Sequence, residues 1–531
     1  MFEPSFKLDV PLSRFPAQGQ CSPATHQKGR RPFKMMGMAA TVAVMLALSA
    51  CNGQSESPST NADGPLKIGV QSVPTTFDPG QNFLATDYAI MNLVGGTLTD
   101  VSTDGKSVTM GLAEALTPGD KQYVVKLKPD LKFSDGTPLT ATDVAATFEY
   151  YMADKSNGYD YTFAAIQKVT ADDDLTVTFD LKQPYPALDM ALAYPSSAII
   201  PAKSIQEKGK DLYKGDPLPT AGKFQIQSFD ANYITLTANP NYAGAKPSTT
   251  SLTFNKITDS AARLAQVQGG QIDFAEDISP KQIPQLSGPV QARTTKSVNG
   301  MQFLGMNNRD NSLLSDVRIR KAVSAAINRD QINDVAMAGK STVALGLFAN
   351  SSKNSRPLLQ EKPDLEGAKD LLSGTKCSNG CTLRFIADSS DEVGGDIAVV
   401  AQQNLREIGI QVNIERSEAA VVIQQANEGN YDFRSTYFYD SLDNPGPYLS
   451  YLLGPTIKAL RTGYSNPEMN QLIDTVQTSS GSEAASAMDQ INELFEKDLP
   501  MIPITDYMVV SASRVPEERL SLSPTLFYNV G

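Results

Sequence analysis

The chain of 531 residues carries a formal net charge of −12, and its length is enough for about three structural units. Hydrophobic residues make up 41% and charged residues 20%, which is ordinary for a globular protein with a full-size core. The acidic balance argues against a nucleic-acid-binding protein, because such a protein needs a basic face to neutralise phosphates.

Rare residues narrow the possible chemistry further. The chain has no Trp, and its one His is His26, within the first fifty residues. If those residues are removed during export, as argued next, imidazole general bases and His-based metal sites are excluded from the working protein. We therefore expect neither a metal nor a cofactor. The four cysteines are Cys21, Cys51, Cys377 and Cys381.

An export signal precedes the globular part of the chain. Residues 35–50 form a sixteen-residue run without charge, MMGMAATVAVMLALSA, which follows Arg30, Arg31 and Lys34. A helix of this length spans roughly 24 Å, less than the ~30 Å hydrocarbon core of a bilayer. A basic segment before a short apolar run is typical of a secretory signal. We therefore predict that residues 1–50 are a signal peptide and leader.

The apolar run ends in Leu48-Ser49-Ala50-Cys51, which resembles the lipobox of bacterial lipoproteins. This resemblance implies cleavage before Cys51 and lipidation of that residue. Several acyl chains anchor a protein stably to a membrane, whereas a single chain is marginal. Residues 51–64 would then be the lipidated Cys and a flexible tether, since they are rich in Ser, Asn and Gly. The alternative is an ordinary buried Cys after an uncleaved signal.

Two further cysteines, Cys377 and Cys381, lie on either side of the turn-prone pair Asn379-Gly380. In an oxidising extracytoplasmic space these two thiols would close a small disulfide loop. Loop entropy gives so short a ring only about 2 kcal/mol, so we interpret the disulfide as a local pin. A redox function is the alternative, but the spacing differs from that of a C-x-x-C motif.

Strand and helix patterns alternate irregularly along the remaining chain. Residues 67–70 read as a strand, and residues 175–181 and 234–238 place an apolar side chain at every second position. Residues 316–332 have helical spacing, with Ser315 or Asp316 as the N-cap. There is no internal repeat. These patterns predict a mixed α/β or α+β protein of several lobes.

One segment points to a family. Residues 131–144, LKFSDGTPLTATDV, consist of a strand end, an Asp-Gly turn and a capped helix start. The segment strongly resembles the signature of the oligopeptide/dipeptide/nickel class of ABC-transporter solute-binding proteins, family 5. Further segments resemble the family in the same order and extend the likeness over nearly all of residues 65–531: 71–79, 221–224, 239–247, 316–322 and 499–503.

The resemblance implies a mixed α/β fold of the two-lobed type II periplasmic-binding-protein kind, with an extra subdomain on the first lobe. Two chain crossings near residues 300 and 500 would form the hinge, and Asn299-Gly300 is suitable backbone for the first crossing. The expected divisions are 65–105, 220–300 and 500–531 for lobe I, 106–219 for the extra subdomain and 301–499 for lobe II.

The resemblance also indicates where a ligand binds. In peptide-binding members an Asp receives the α-ammonium of the ligand, and alignment gives Asp440 here, with Tyr439 beside it. Tyr437 occupies a slot that usually holds Trp, which puts the identity of the ligand in doubt. A carboxylate in a closed cleft pairs with an ammonium more strongly than a surface carboxylate does. We expect Asp440, Tyr437 and Tyr439 to bind the substrate.

Other interpretations of these residues remain open. Asp440 and Asp443 could instead cap a turn before Pro445, with the tyrosines in the core. Arg356 and Arg434 are weak candidates for binding a ligand carboxylate, because each could equally be a solvated surface residue.

The function implied by the family is that of a monomeric, non-enzymatic receptor without catalytic residues. It would be lipid-anchored at the cell membrane, on the extracytoplasmic side, and would deliver short peptides to an ABC permease driven by an ATPase. A sugar, an opine or another amino-containing solute is the alternative ligand, and a non-transport sensor lipoprotein is a second alternative. A hydrolase that uses paired carboxylates is opposed by the resemblance, and nickel-chelate uptake by the absence of His from the mature chain.

Overall fold

The computed structural model describes residues 64–78, 85–153, 163–454 and 460–531. The predicted signal peptide, the lipobox with Cys51 and the tether up to residue 63 lie outside the described residues. Among the helices that are described, none combines the length and the apolar character needed to span a bilayer.

The described strands form one ten-stranded sheet, one four-stranded sheet and two two-stranded sheets. The described strands are β1 (Leu66–Val70), β2 (Thr99–Val101), β3 (Val108–Met110), β4 (Ala113–Pro118), β5 (Gln122–Leu127), β6 (Ile166–Ala171), β7 (Thr176–Leu181), β8 (Phe224–Phe229), β9 (Tyr233–Ala238), β10 (Ser251–Lys256), β11 (Phe274–Ala275), β12 (Gln291–Met306), β13 (Cys381–Asp388), β14 (Ile410–Ser417), β15 (Phe433–Asp440), β16 (Met501–Ser513), β17 (Leu520–Leu522) and β18 (Tyr528–Val530).

Helices cover the faces of these sheets. The described α-helices are α1 (Ala85–Val94), α2 (Ala141–Ala153), α3 (Leu188–Ala191), α4 (Ala202–Lys208), α5 (Ser260–Gln268), α6 (Val317–Ala326), α7 (Arg329–Ala336), α8 (Leu365–Leu372), α9 (Glu392–Arg406), α10 (Ala419–Glu428), α11 (Pro445–Leu453), α12 (Pro467–Thr478) and α13 (Gly481–Asp498). Short 3-10 turns occur at Pro195–Ser197, Gly209–Asp211, Pro280–Gln285 and Leu313–Ser315.

A ten-stranded sheet runs through the molecule in the order β14-β13-β15-β12-β16-β11-β1-β10-β9-β8. Its two longest strands, β12 and β16, pair antiparallel at the middle and join the two sides. From Ser297 to Met306 every residue of β12 is buried, because neighbouring strands and helices cover it completely. The pairing of β12 with β16 is irregular between Lys296 and Met301, the stretch that contains Asn299 and Gly300.

A separate four-stranded sheet, in the order β4-β5-β7-β6, carries a hydrophobic core of its own. The predicted strand at 175–181 is confirmed as β7, in which alternate residues are buried. Phe179 from this strand packs edge-to-face on Phe148 of α2 at 5.0 Å between ring centroids. Such aromatic pairs add stabilisation beyond the apolar area that they bury.

The family signature forms the predicted turn and helix start. Asp135 accepts hydrogen bonds from the backbone N–H and the hydroxyl of Thr137, at 2.9 and 2.6 Å. Gly136 has φ +86°, a conformation that glycine adopts without steric cost. The backbone N–H of Thr140 donates to Asp143 Oδ2 at 2.8 Å, immediately before α2 begins. The interpretation of this segment as a turn and a capped helix is confirmed.

The helix predicted over residues 316–332 is wrong in its extent, because the structure contains two helices there. Asp316 caps α6, but Ile327 adopts an extended conformation after it. Asn328 then begins α7, since its side chain accepts a hydrogen bond from Gln331 N at 3.0 Å. A residue with this capping ability competes with the helical backbone, so the apolar spacing alone did not reveal the break.

The disulfide between Cys377 and Cys381 is present. Gly380, at φ +88°, allows the tight turn, and its N–H donates to Cys377 O at 3.0 Å. The pinned loop leads directly into β13, which begins at Cys381.

Candidate functional site

The substrate residues predicted from the sequence lie together on one cavity. Tyr437, Tyr439 and Asp440, all on β15, line a cavity of about 400 Å³. Tyr88 of α1 and Tyr194, just before the 3-10 turn Pro195–Ser197, line the same cavity from distant parts of the chain. The volume falls within the ~300–1,000 Å³ of small-molecule sites.

The cavity follows one edge of β15. β12 pairs with β15 along its whole length, from Met306 with Phe433 to Asn299 with Asp440. On the other side β13 pairs with β15 only at Phe433. Among the described residues, the rest of that edge therefore has no strand partner. Unpaired N–H and C=O groups along an edge can accept an added extended chain.

Asp440 is the last residue of β15 and is 7% exposed. Its Oδ1 accepts a hydrogen bond from Tyr194 Oη at 2.5 Å and another from Leu442 N at 3.1 Å. Burial raises the pKa of the Asp440 carboxyl to about 7, although these hydrogen bonds act to lower it. No cation among the described residues contributes to that pKa. The site thus holds a buried carboxyl group for which the described residues supply no positive counter-charge.

A stack of tyrosines lies on the other face of β15. The ring of Tyr437 stacks on Tyr507 of β16 at 4.8 Å between centroids, and Tyr439 stacks on the same ring at 5.8 Å. Because alternate residues of a strand point to opposite faces, these two tyrosines and Asp440 project from opposite faces. All three reach the cavity since it lies along the strand edge. Tyr437 is 48% exposed. Tyr439, in contrast, packs against the hydrophobic core that includes residues of β1, β8, β9 and β10.

Carboxylates surround this tyrosine stack. Desolvation, followed by the negative charges of Asp277 and Asp391, raises the pKa of Tyr437 to about 12. Asp391 lines the cavity and caps α9, where its side chain accepts from Gly394 N at 2.9 Å. The electrostatic environment of the stack therefore favours a cation over an anion.

The two arginines considered for a ligand carboxylate lie in different places. Arg434 lines the cavity and donates from Nη2 to Leu460 O at 3.2 Å, but its buried Nε has no partner among the described residues. Arg356 lines a separate cavity of about 620 Å³ and forms an ion pair with Asp489 at 2.8 Å. Of these two candidates, Arg434 is the one that lines the cavity containing Asp440.

Part of the alternative interpretation of this segment is also visible. The bond from Leu442 N shows that Asp440 does cap the turn that follows β15. Asp443, fully buried, instead holds the loop after Phe348, because it accepts bonds from Ser352 Oγ at 2.5 Å and Lys353 N at 2.9 Å. The Asp440 carboxyl group thus both accepts a hydrogen bond from the turn and lines the cavity.

Sequence reasoning missed Tyr88, Tyr194 and Tyr507. Tyr194 is 246 residues from its partner Asp440, so no local pattern in the sequence connects them. Tyr507 lies in the segment that returns near residue 500, where its neighbours on β16 are buried. Tyr507 itself is half-buried, which becomes visible only in the folded structure, so no pattern in the sequence singles it out.

Comparison with known proteins defines the class. The family model described as "Bacterial extracellular solute-binding proteins, family 5 Middle" matches residues 107–459, well over half of the chain. The chain therefore belongs to this family of transport solute-binding proteins, and the family predicted from the sequence is confirmed.

Two relatives and one solved structure are similar to this chain. The oligopeptide-binding protein AppA of Bacillus subtilis is 26% identical over 526 residues, covering 89% of this chain and 93% of AppA. The probable D,D-dipeptide-binding periplasmic protein DdpA of Escherichia coli is 25% identical, covering 77% and 81%. The solved structure of AgaA from A. tumefaciens R10, in complex with agropinic acid, matches with a TM-score of 0.74 at 21% identity, covering 88% and 99%. The two-lobed fold expected from the sequence is thereby confirmed.

The raised pKa of Asp440 predicts a specific pH dependence of stability in the ligand-free protein. The folded state holds this proton more tightly than the unfolded state, whose pKa is near 3.8. The stability associated with the protonated carboxyl is therefore complete below about pH 4 and is lost as the pH rises through about 7. The Asp440→Asn variant has no carboxyl to titrate at this position. Between about pH 4 and about pH 7 its free energy of unfolding relative to wild type should therefore rise by about 1–4 kcal/mol.

Urea unfolding of both proteins over this pH range measures the difference, and other buried carboxyls cancel because both proteins contain them. Asp474→Asn, on the exposed face of α12, is the matched control and should follow wild type. Parallel stability curves for wild type and Asp440→Asn would contradict the assignment of a buried, titrating Asp440.

Proposed function

We propose that this solute-binding protein captures short peptides and delivers them to the permease of an ABC importer, without catalysing a reaction. The observation that carries the proposal is the buried carboxyl of Asp440, which lacks a described counter-charge at the wall of the cavity. A ligand ammonium would supply that charge. An ion pair formed in a closed cleft is stronger than one in water, whereas a buried carboxylate left alone is costly.

The edge of β15 supports a peptide rather than an arbitrary amine. Beyond Phe433 this edge has no strand partner among the described residues, and it ends at Asp440. An extended peptide could add to it through backbone hydrogen bonds, with its amino end at Asp440 and its side chains against Tyr437. Affinity would then come largely from the peptide backbone, which allows several sequences to bind.

The length of the peptide follows from the positions of the charged groups. Asp440 and Arg434 are six residues apart on β15, which corresponds to roughly 20 Å along a strand. A peptide that reached both would need about six extended residues. A dipeptide or tripeptide would meet Asp440 alone, and its carboxylate would need another partner.

Two lobes and a membrane anchor complete the proposal. Lobe I would comprise residues 65–105, 220–300 and 500–531, lobe II residues 301–499, and the extra subdomain residues 106–219. The crossing strands β12 and β16 would serve as the hinge, and their irregular pairing next to Gly300 supports that role. Lipidation of Cys51 would hold the receptor at the extracytoplasmic face, close to the permease.

An opine-like amino compound is the second candidate ligand. The fold is shared with AgaA, whose structure contains agropinic acid, and Tyr437 stands where the family usually has Trp. Such a compound could use the same carboxyl at Asp440, so the ligand class must be separated by experiment.

Blocking the amino group of a peptide provides the direct test of the proposal. We expect peptides with a free amino terminus to raise the Tm of the wild-type protein, because tight binding stabilises the folded state. The same peptides with an acetylated amino terminus should raise it far less. Asp440→Asn should weaken binding of the free peptides by about 30-fold or more in calorimetry, since a buried charge pair is lost.

Asp474→Asn again serves as the control and should bind like wild type. Equal binding of free and acetylated peptides would remove Asp440 from the ligand site. A rise in Tm with opine-type compounds but with no peptide would favour the second candidate.

The anchor has a separate test. Cys51→Ser should move the protein from the membrane fraction to the soluble extracytoplasmic fraction and abolish incorporation of labelled fatty acid, because the acceptor thiol is gone. Continued membrane association and labelling of the variant would contradict lipidation at Cys51, without bearing on the peptide site.

A further inference from the structure

Tyr194 meets Asp440 from a distant part of the chain. Its hydroxyl donates to Asp440 Oδ1 at 2.5 Å, although the two residues are 246 positions apart. Tyr194 precedes the 3-10 turn Pro195–Ser197, next to the core of the four-stranded sheet. The bond therefore links the segment before the 3-10 turn Pro195–Ser197 to the end of β15, at the wall of the cavity that both residues line.

The segment that carries Tyr194 is held firmly in place. Ser197 N donates to Tyr194 O at 2.7 Å, and Ser197 Oγ donates to Ala191 O at 2.6 Å. One residue further on, Tyr151 Oη of α2 donates to Ala198 O at 2.8 Å. Pro195, Ser196 and Ser197 are buried. The hydroxyl of Tyr194 is thus positioned by a rigid support rather than by a free loop.

The two oxygens of the Asp440 carboxyl have different surroundings. Oδ1 accepts from both Tyr194 Oη and Leu442 N. Since a carboxylate oxygen offers two acceptor positions, both positions of Oδ1 are filled. The backbone N–H of Ser441 also lowers the pKa of this carboxyl through a hydrogen bond, but no side chain among the described residues donates to Oδ2. A ligand cation in the cavity would therefore find one available oxygen instead of two.

We propose that Tyr194 makes Asp440 a one-oxygen receptor, so that the cavity selects ligands with a primary ammonium over ligands with a guanidinium or amidinium group. This inference rests on the proposed function, since it specifies the cation that the same site accepts. Tyr194 acts as a positioning residue here: its hydroxyl holds Oδ1 and so determines which geometry a ligand can use.

The selection follows from the shapes of the two cations. A guanidinium presents parallel N–H groups that bind both oxygens of a carboxylate at once. With Oδ1 filled, it keeps only one of those bonds and buries a second donor without a partner. An ammonium carries three donors on one rotating tetrahedral nitrogen, so it can place one on Oδ2 and turn the other two toward other acceptors or water. A guanidinium holds its donors in a fixed planar fork and cannot redirect the second one in this way. A hydrogen bond to a charged group is strong enough for its loss to reduce affinity by about tenfold or more.

The first arm of the test compares two ligands of equal length. Trialanine and its N-amidino derivative, in which the amine is converted to a guanidine, are titrated calorimetrically into wild type and Tyr194→Phe. In wild type the amidino peptide should bind about tenfold or more weakly than trialanine. In Tyr194→Phe the ratio of the two dissociation constants should approach one, because Oδ1 becomes available.

Tyr233→Phe, on β9 far from Asp440 in the sheet order, is the matched control and should keep the wild-type ratio. If Tyr194 served packing alone, Tyr194→Phe would weaken both peptides equally and leave the ratio unchanged. That result, or equal binding of the two peptides to wild type, overturns the proposal.

The second arm needs no ligand. The protein is labelled with ¹³C at its aspartate carboxyl carbons, and Asp440→Asn identifies the Asp440 resonance. The hydrogen bond from Tyr194 lowers the pKa of Asp440, so its titration midpoint should rise in Tyr194→Phe. An unchanged midpoint overturns the contact on which the inference depends.

The two arms separate this inference from the proposed function. A raised midpoint in Tyr194→Phe combined with no binding to wild type of any free-amino peptide of two to six residues supports the Tyr194 contact and contradicts peptides as the ligand class.

Discussion

The structure depends on one electrostatic constraint, the burial of the Asp440 carboxyl at the end of β15. Burial raises its pKa to about 7, so near neutral pH the group is poised between a neutral acid and a charge without a described partner. Either an extra proton or a ligand cation resolves this conflict. Tyr194 and Leu442 hold the carboxyl in place but supply no positive charge. The proposed ammonium ligand would supply the missing positive charge.

The central strands make this arrangement possible. β12 lies between β15 and β16, and it brings the tyrosines of those two strands onto one face. Gly300 is essential to the close approach, because a Cβ there would come within 2.8 Å of Tyr439 Cβ and 2.7 Å of Ser297 Cβ. Beside it the buried amide of Asn299 finds no hydrogen-bond partner among the described residues. The unsatisfied amide and the irregular pairing support the proposed hinge at β12 and β16.

Local chemistry could be predicted from the sequence, whereas long-range contacts could not. The Asp135-Gly136 turn, the Cys377–Cys381 disulfide and the alternation in β7 each depend on residues a few positions apart. The helix over 316–332 was overextended because one capping residue, Asn328, interrupts it without disturbing the apolar spacing. Asp440 was found through the family likeness, while Tyr194 and Tyr507 reach the site only through the tertiary fold. Tyr194 is 246 residues from Asp440, so no local pattern in the sequence connects the two.

The most direct test of the proposed ammonium site is a crystal structure of the protein with the amine-bearing solute that raises its Tm most. We expect the ammonium nitrogen to lie about 2.7–3.2 Å from Asp440 Oδ2, with Tyr194 still on Oδ1 and the ligand along the open edge of β15. A ligand seated away from this cavity, or one whose amine avoids the Asp440 carboxyl, would contradict it.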